Sequence, residues 1–328
     1  MRHSLRLAFA LSAASVLHAQ NWYVPDNVAS AGTCNAIPFG STVGSTFANC
    51  KYQTRFTAAD LGAAVNVITG LGFAGCTTGR VHFDSLEVVL DHIPPSQPTT
   101  TTFANNLTPA AVTVLSAANY TWNVTSNAWN EIGLQVPFVY NGTDDVILQI
   151  TTVGSVAAGS FHRATRERIY WAAASGTAPA TGTSSLAASK VEISMLMART
   201  VSLGDGCLGS NGTPAMGFTG SPQQGTTIQF TLANGVPNGV GVLLAGVSNA
   251  APLPLDLVVL GAPSCYVYTD STFSTALLLD GAGAAASPLA IPPALVGFRF
   301  FAQFAVLDLA ANALGVTTSN YFNVLTGN

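Results

Sequence analysis

Apolar side chains recur at every second position along many segments of this chain of 328 residues. Leu86, Val88 and Leu90 form one such series, and the polar Glu87 lies between them. Successive side chains of a β-strand point to opposite faces of the sheet, so this period predicts strands with one buried and one polar face. Similar series occur in both halves of the chain, and no long segment has the spacing and capping residues of a helix. We therefore expect an all-β fold with antiparallel sheets.

The length of the chain and its turn-rich segments predict two domains. Residues 175–189 and 204–225 are both rich in Gly, Ser, Thr and Pro, as loops and linkers are. The second segment is the expected boundary, because the strand that begins at Val191 needs a sheet in the first half. We expect two antiparallel β-sandwich domains of jelly-roll type, at residues 20–203 and 204–328.

Residues 1–19 have the three parts of a secretory signal peptide, namely a basic start, an apolar run over residues 7–17 and a small residue at Ala19. An uncleaved anchor helix needs about 20 apolar residues, and this run is shorter. A later apolar stretch, residues 281–298, contains three prolines, which break a membrane helix. The expected location is therefore secreted or at the cell surface, with no membrane span in the mature chain.

Charged residues are scarce, and this narrows the choice of partners. Asp, Glu, Lys and Arg make up 8% of the chain, and the formal net charge is −4, whereas an ordinary soluble domain is about 25% charged. A protein that neutralises nucleic-acid phosphates needs many more basic residues, so no nucleic-acid partner is expected. A surface of Thr, Ser, Asn, Ala and Gly is expected instead, which suits contact with extracellular polysaccharide or an envelope protein.

The chain has five cysteines, Cys34, Cys50, Cys76, Cys207 and Cys265, and none of them forms a Cys-x-x-Cys motif. Cysteines of an exported protein are usually oxidised to disulfides. Cys207 and Cys265 are alone in the second half, so they are expected to pair. The first half has three cysteines, which predicts one pair and one spare thiol.

Several segments resemble parts of a known family. They include Tyr-Gln-Thr at 52–54, Leu-Glu-Val-Val-Leu-Asp-His at 86–92, Pro-Phe-Val-Tyr-Asn-Gly-Thr at 137–143, Gly-Cys-Leu-Gly-Ser-Asn-Gly-Thr-Pro at 206–214 and Gly-Ala-Pro-Ser-Cys at 261–265. These segments are similar to those of secreted two-module β-sandwich proteins of planctomycete-type bacteria, and the resemblance covers most of the mature chain. It implies extracellular β-sandwiches and a Cys34–Cys76 disulfide that leaves Cys50 unpaired. It supplies no catalytic residues.

Sequence motifs of catalysis are weak or missing. Gly204, Gly206 and Gly209 have the spacing of a dinucleotide-binding loop, but the residues after them break a helix instead of opening one. No Gly-x-Ser-x-Gly or His-Glu-x-x-His motif occurs. We therefore expect no enzyme and no organic cofactor. The alternative is a jelly-roll hydrolase, similar in chemistry to a glycosidase, in which folding brings carboxylates such as Glu131 and Glu192 together across strands.

Histidines and nearby carboxylates raise the question of a zinc site. The mature chain has His82, His92 and His162. The strand period places His82 and Asp84 on one face, with Asp91 on the other. These residues therefore fit a single zinc site poorly. The expected alternative is that each histidine is either hydrogen-bonded within the protein or exposed to solvent.

Calcium is the metal that the side chains favour. Asp144 and Asp145 follow the turn that begins at Asn141, and carboxylates together with turn carbonyls are the hard oxygen ligands that Ca²⁺ prefers. Aspartates in such turns also hydrogen-bond their own backbone, which is the alternative interpretation. Calcium is thus the candidate cofactor ion.

The most unusual local feature is a run of basic residues in a chain that has few. Arg163, Arg166 and Arg168 lie close to Trp171. Arginine forks bind carboxylates, and an aromatic ring can stack on a sugar, so these residues form a candidate site for an acidic glycan or carboxylate. The alternative is a solvated hairpin in which an arginine pairs with Glu167.

Two tryptophans of the first half are candidates for a sugar-stacking platform. Trp122 and Trp129 are near Tyr120 in sequence, although large aromatic residues in strands more often fill the core. Together these features predict a non-catalytic exported protein that acts as a structural, adhesive or ligand-binding β-sandwich, in contact with glycan or the cell envelope.

Overall fold

A computed structural model describes residues 20–40, 47–156, 159–195, 198–292, 295 and 297–327. The expected signal peptide lies outside the described residues. Within them the chain forms 23 strands, one short α-helix and two 3₁₀ turns, and every pairing between the strands named below is antiparallel. The expected all-β antiparallel fold is confirmed. In the described ranges, no helix is long and apolar enough to cross a membrane.

The element bounds follow the chain. The strands are β1 (Gln20–Val24), β2 (Cys34–Asn35), β3 (Asn49–Phe56), β4 (Asn66–Ala74), β5 (Gly79–Ile93), β6 (Val112–Val124), β7 (Trp129–Glu131), β8 (Phe138–Tyr140), β9 (Asp145–Val153), β10 (Phe161–His162), β11 (Glu167–Ala173), β12 (Thr183–Leu186), β13 (Val191–Met195), β14 (Arg199–Leu203), β15 (Ala215–Thr219), β16 (Thr227–Ala233), β17 (Val240–Gly246), β18 (Leu255–Asp256), β19 (Tyr266–Val267), β20 (Phe273–Leu278), β21 (Ala285–Ala290), β22 (Arg299–Leu307) and β23 (Val316–Leu325). The helix α1 spans Ala58–Leu61, and the 3₁₀ turns span Phe103–Asn106 and Leu257–Leu260.

An eleven-stranded sheet runs through both halves of the chain. Its strand order is β12-β11-β3-β9-β5-β6-β14-β23-β22-β17-β20. β14 lies before the expected boundary at 203/204, yet all five of its residues pair with β23, from Arg199 with Leu325 to Leu203 with Tyr321. Only Leu203 also pairs with β6, opposite Trp122. The sheet is therefore continuous across the expected boundary.

The main core lies in the first half. A five-stranded sheet, with the order β1-β13-β4-β7 and β8 also on β4, shares this core with the larger sheet, because Phe73 of β4 and Leu86, Val88 and Leu90 of β5 belong to one buried cluster. The predicted burial of the β5 series is confirmed, and Glu87 between them is exposed. Each fully buried side chain of this size stabilises the fold by about 1.5–3 kcal/mol.

A second core occupies the other half. Ile228, Phe230 and Leu232 of β16 are buried together with Phe300 and Phe304 of β22. β16 is the middle strand of a three-stranded sheet with the order β15-β16-β21, whereas β22 belongs to the eleven-stranded sheet. The alternating side chains of these two sheets thus share one apolar interior.

Two disulfides link segments that are distant in sequence. They join Cys34 with Cys76 and Cys207 with Cys265, which are the pairs that the resemblance and the cysteine count imply. Cys50 is a free, buried thiol, and burial raises its pKa to about 12. Disulfides of this kind are typical of proteins that fold in an oxidising compartment.

Candidate functional site

The basic run at residues 163–168 is split into separate environments. Arg166 donates to the two carboxylate oxygens of Asp60 at 3.0 and 2.7 Å, and to the carbonyl oxygen of Arg55 at 2.9 Å. Asp60 also closes the N-terminus of α1 through hydrogen bonds with Thr57. Burial alone would raise the pKa of Asp60, but the hydrogen bonds from Arg166 and Thr57 lower it. Arg166 therefore holds α1 against β3.

Arg168 lies on β11 and is only 5% exposed. Its Nε donates to Ser185 Oγ at 2.9 Å, and its guanidinium carbon lies 4.4 Å from the ring centre of Tyr170. Trp171 is three positions further along the strand, so its side chain projects from the opposite face. Arg163, between β10 and β11, is half-buried. Arg168 and Trp171 therefore lie on opposite faces of the sheet and do not form one binding surface.

A cavity of about 280 Å³ lies beside Arg166, and Gln53, Arg55, Thr57 and Ile169 also line it. Arg55 is paired with Asp145, and Arg166 is paired with Asp60. The positive charges of both guanidiniums are thus already balanced. Arg168 and Glu167 also line this cavity, and Arg168 forms no ion pair within the described residues. An acidic-ligand site at this cavity therefore stays a prediction.

The two tryptophans also lie apart from each other. Trp122 is 1% exposed and stacks on Phe161, with ring centres 5.2 Å apart. It belongs to the main core and is not a sugar platform, which corrects that expectation. Trp129 is half-buried, and its ring lies 5.3 Å from that of Tyr23 on the outer face of the five-stranded sheet.

The aspartates proposed for calcium are used within the protein. Asp145 is buried, and its carboxylate accepts hydrogen bonds from Arg55 Nε and from the backbone N–H of Ala58. Asp144 Oδ2 accepts from Asn141 Nδ2 at 2.8 Å. Because the Asp145 charge is neutralised by Arg55, this turn is a poor calcium site, which corrects the expectation from ligand type.

The three histidines do not converge on a metal. His92 packs on Phe138 with ring centres 4.6 Å apart, and His162 Nδ1 contacts the carbonyl oxygen of Gly32 at 2.9 Å. In the described part of the chain, the only group of three potential ligand atoms is Cys34, Cys76 and His162. Both of those sulfur atoms form the disulfide bond, so they are not thiolate ligands.

Glu131 and Glu192 do come together across strands, as the hydrolase alternative requires. Both pair with Gly72 of β4, one from β7 and the other from β13, so their side chains lie on one face of the sheet. Arg199 lies between them, with Nη1 3.3 Å from Glu131 Oε2 and Nη2 3.4 Å from Glu192 Oε1. Asn21 donates to Glu192 Oε1 and accepts from Arg199 Nη2, both at 2.8 Å.

These side chains form an ion cluster, defined as Glu131, Glu192, Arg199 and Arg299. The side chains of Glu131 and Glu192 are 11% and 7% exposed. Burial raises the pKa of Glu131, against the effect of Arg199, and burial lowers the pKa of Arg299 to about 10, against the effect of Glu131. Arg199 thus contacts both buried carboxylates, and neither carboxylate lines the cavity beside Arg166, as is typical of a structural ion cluster.

A cleft of about 530 Å³ opens where the two halves of the chain meet, and we name it the junction cleft. Its lining residues are Arg80, His82, Asp205, Gly206, Thr213, Ser264 and Tyr266. Cys207 and Cys265 are each adjacent in sequence to lining residues. Their disulfide bond therefore holds two walls of the junction cleft side by side.

A chain of polar contacts runs along one wall of the junction cleft. Arg80 forms an ion pair with Asp205. Asp205 Oδ2 accepts a hydrogen bond from Thr121 Oγ1 at 3.2 Å, and Thr121 Oγ1 lies 3.0 Å from His82 Nδ1. Thr121 is placed there by strand register, because it pairs directly with His82 between β6 and β5. Burial lowers the pKa of His82, although Asp84 acts in the opposite direction.

The junction cleft offers mixed hydrogen-bonding chemistry without excess charge. The charges of Arg80 and Asp205 cancel, and a histidine with a lowered pKa is mainly neutral at pH 7. Tyr266 adds a half-buried aromatic ring, and Gly206 lets the chain pass close to the carbonyl oxygen of Pro214, which an ideal Cβ would approach to 2.5 Å. The volume is within the usual range of ligand sites, and the lining suits a polar, uncharged ligand.

The sequence indicates only part of this site. His82 was a candidate zinc ligand and Gly206 lies in the predicted boundary segment, whereas no sequence motif marks Arg80, Asp205 or Tyr266. The useful signal was the boundary segment itself, because ligand sites are frequent where two structural units meet.

No protein-family model matches the chain, and a search of curated proteins finds no match.

Proposed function

We propose that this is an exported, non-catalytic protein, built from two sandwich-like jelly-roll units, that binds extracellular polysaccharide in the junction cleft. The signal-peptide pattern and the two disulfides support export. The observation that carries the binding proposal is the convergence of a balanced Arg80–Asp205 pair, a neutral imidazole and an aromatic ring in one cleft.

Sugar hydroxyls both donate and accept hydrogen bonds, so they match a site that presents both kinds of partner. Arg80 supplies donors only, whereas the Asp205 carboxylate supplies acceptors only. The Tyr266 ring provides an apolar face for the C–H side of a sugar. Since the pair is electrically balanced, binding should depend only weakly on salt.

The test is a glycan array followed by calorimetry on the purified protein and two variants. Arg80→Ala should weaken binding by about 10- to 100-fold, because hydrogen bonds to charged groups contribute about 1.5–3 kcal/mol. Arg163→Ala is the matched control, because Arg163 lies outside the junction cleft, and it should bind like the wild type. Failure of the wild type to bind any polysaccharide, or full affinity in Arg80→Ala, would contradict the proposal.

A glycosidase-like hydrolase is the competing function. The ion cluster argues against it, because Arg199 contacts both carboxylates and neither carboxylate lines the junction cleft. We therefore expect no release of reducing sugar from any polysaccharide that the protein binds. Release that is abolished in Glu131→Gln or Glu192→Gln would favour the hydrolase.

A further inference from the structure

The hydrogen bonds around Thr121 fix which nitrogen of His82 carries the proton. An ionised carboxylate can only accept hydrogen bonds, and Asp205 is held ionised beside Arg80. The hydroxyl proton of Thr121 must therefore point to Asp205. Thr121 Oγ1 then has only lone pairs left for His82, so Nδ1 of the neutral ring is the protonated nitrogen. Its Nε2 is the acceptor.

The acceptor nitrogen is open to the solvent. His82 lines the junction cleft and is half-buried. Nε2 has no hydrogen-bond partner within the described residues. It is also not among the fully buried polar atoms that lack a partner, so solvent can reach it. The Nε2 lone pair therefore belongs to a ring that lines the junction cleft, beside a guanidinium and a carboxylate.

We propose that His82 Nε2 accepts a hydrogen bond from a ligand hydroxyl, and that Thr121 is the residue that positions it by fixing the ring tautomer. This inference rests on the proposed function and narrows it to ligands with a donor at that point, such as neutral sugars with a free hydroxyl. A methyl ether or a carboxylate at the same position is rejected, because each would set a lone pair against a lone pair.

The same arrangement makes recognition sensitive to pH. The charged or titratable groups around His82 are Arg80 and Asp84 on its own strand, Asp205 through Thr121, and Tyr266 across the junction cleft. A protonated imidazole donates from both nitrogens and has no acceptor left. Affinity for a hydroxyl donor should therefore fall as the pH drops through the His82 pKa.

The first experiment needs no tight ligand. The ¹⁵N chemical shifts of the His82 ring in the full protein should identify Nδ1–H as the main neutral tautomer. Thr121→Val should shift the ring toward a mixture or toward Nε2–H, whereas Thr121→Ser, which keeps the hydroxyl, should behave like the wild type. An Nε2–H tautomer in the wild type, or no change in Thr121→Val, would overturn the inference.

The second experiment titrates methyl α-glucopyranoside and its fully O-methylated analogue into the protein above the His82 pKa. The free sugar should shift the His82 ring signals together with those of Arg80 and Tyr266, and Thr121→Val should reduce its affinity about tenfold. The O-methylated sugar should leave His82 unchanged. Shifts at Arg80 and Tyr266 without His82 would overturn this inference alone, whereas no shift at any lining residue would overturn the proposed function as well.

Discussion

Replacing Arg199 with methionine should destabilise the protein by about 3 kcal/mol, because it leaves two buried carboxylates with too little positive charge. Arg199 is the one residue of the ion cluster that contacts both Glu131 and Glu192, at 3.3 and 3.4 Å. Breaking a buried ion pair by removing one partner typically costs about 3–5 kcal/mol. We expect the lower end of that range, because Arg199 is 20% exposed and Arg299 stays close to Glu131.

Urea unfolding at pH 8, followed by tryptophan fluorescence, measures this free energy. Arg163→Met is the matched control, because Arg163 is half-buried outside the ion cluster, and it should change the stability by less than about 0.5 kcal/mol. Adding Glu192→Gln to Arg199→Met should restore part of the loss, since it removes one of the two unpaired charges. The two changes should therefore be non-additive by about 0.5–3 kcal/mol.

The pH dependence of this variant has a definite sign. Burial already raises the folded-state pKa of Glu131, and removal of Arg199, which lowers this pKa, should raise it further. A carboxylate with a raised folded pKa favours the folded state below its unfolded pKa, and that advantage is lost as the pH rises through the folded pKa. The destabilisation should thus be smaller at pH 4 than at pH 8. A loss below about 0.5 kcal/mol at pH 8 would refute the idea that Arg199 compensates these carboxylates.

Three further outcomes are expected. Gly72→Ala should cost about 1–3 kcal/mol in urea unfolding, because the added Cβ would come within 2.8 Å of Glu192 Oε2, and unchanged stability would show that Glu192 can move aside. The Cys50 thiol should not react with a thiol reagent at pH 8 until the protein unfolds, since it is buried and its pKa is raised to about 12; rapid labelling of the native protein would contradict this. The lowered pKa of Asp60 means that its ionised form stabilises the fold above its unfolded pKa, and that this contribution is lost as the pH falls through the folded pKa. Asp60→Asn should therefore flatten the acid side of the stability profile, whereas an unchanged profile would mean that the Arg166 pair contributes nothing.

The strands were predictable because their signal is local. In β5 the sequence alone shows which side chains alternate, and Leu86, Val88 and Leu90 are buried as the period requires. The disulfide between Cys207 and Cys265 followed from having just two cysteines in that half. The fold class therefore depends on information contained within short segments.

The sites were not predictable, because they depend on which distant segments pair. Asp145 was expected in a calcium turn, but the structure pairs it with Arg55, 90 residues earlier in the chain. Trp122 has the same sequence signal whether it is buried or exposed, and its burial depends on packing against distant residues such as Phe161. Glu131 was correctly matched with Glu192, but nothing near either residue indicated that Arg199 would lie between them.

The continuity of the large sheet through β14 and β23 affects how this protein can be cut or recombined. A fragment that stops at residue 203 keeps β14 but removes β23, so five residues lose their backbone partners on that side. A fragment that starts at residue 204 leaves β23 with an open edge, which is a template for aggregation. Transfer of the second half into a chimera should therefore begin before Arg199, so that the strand travels with the neighbour to which it bonds.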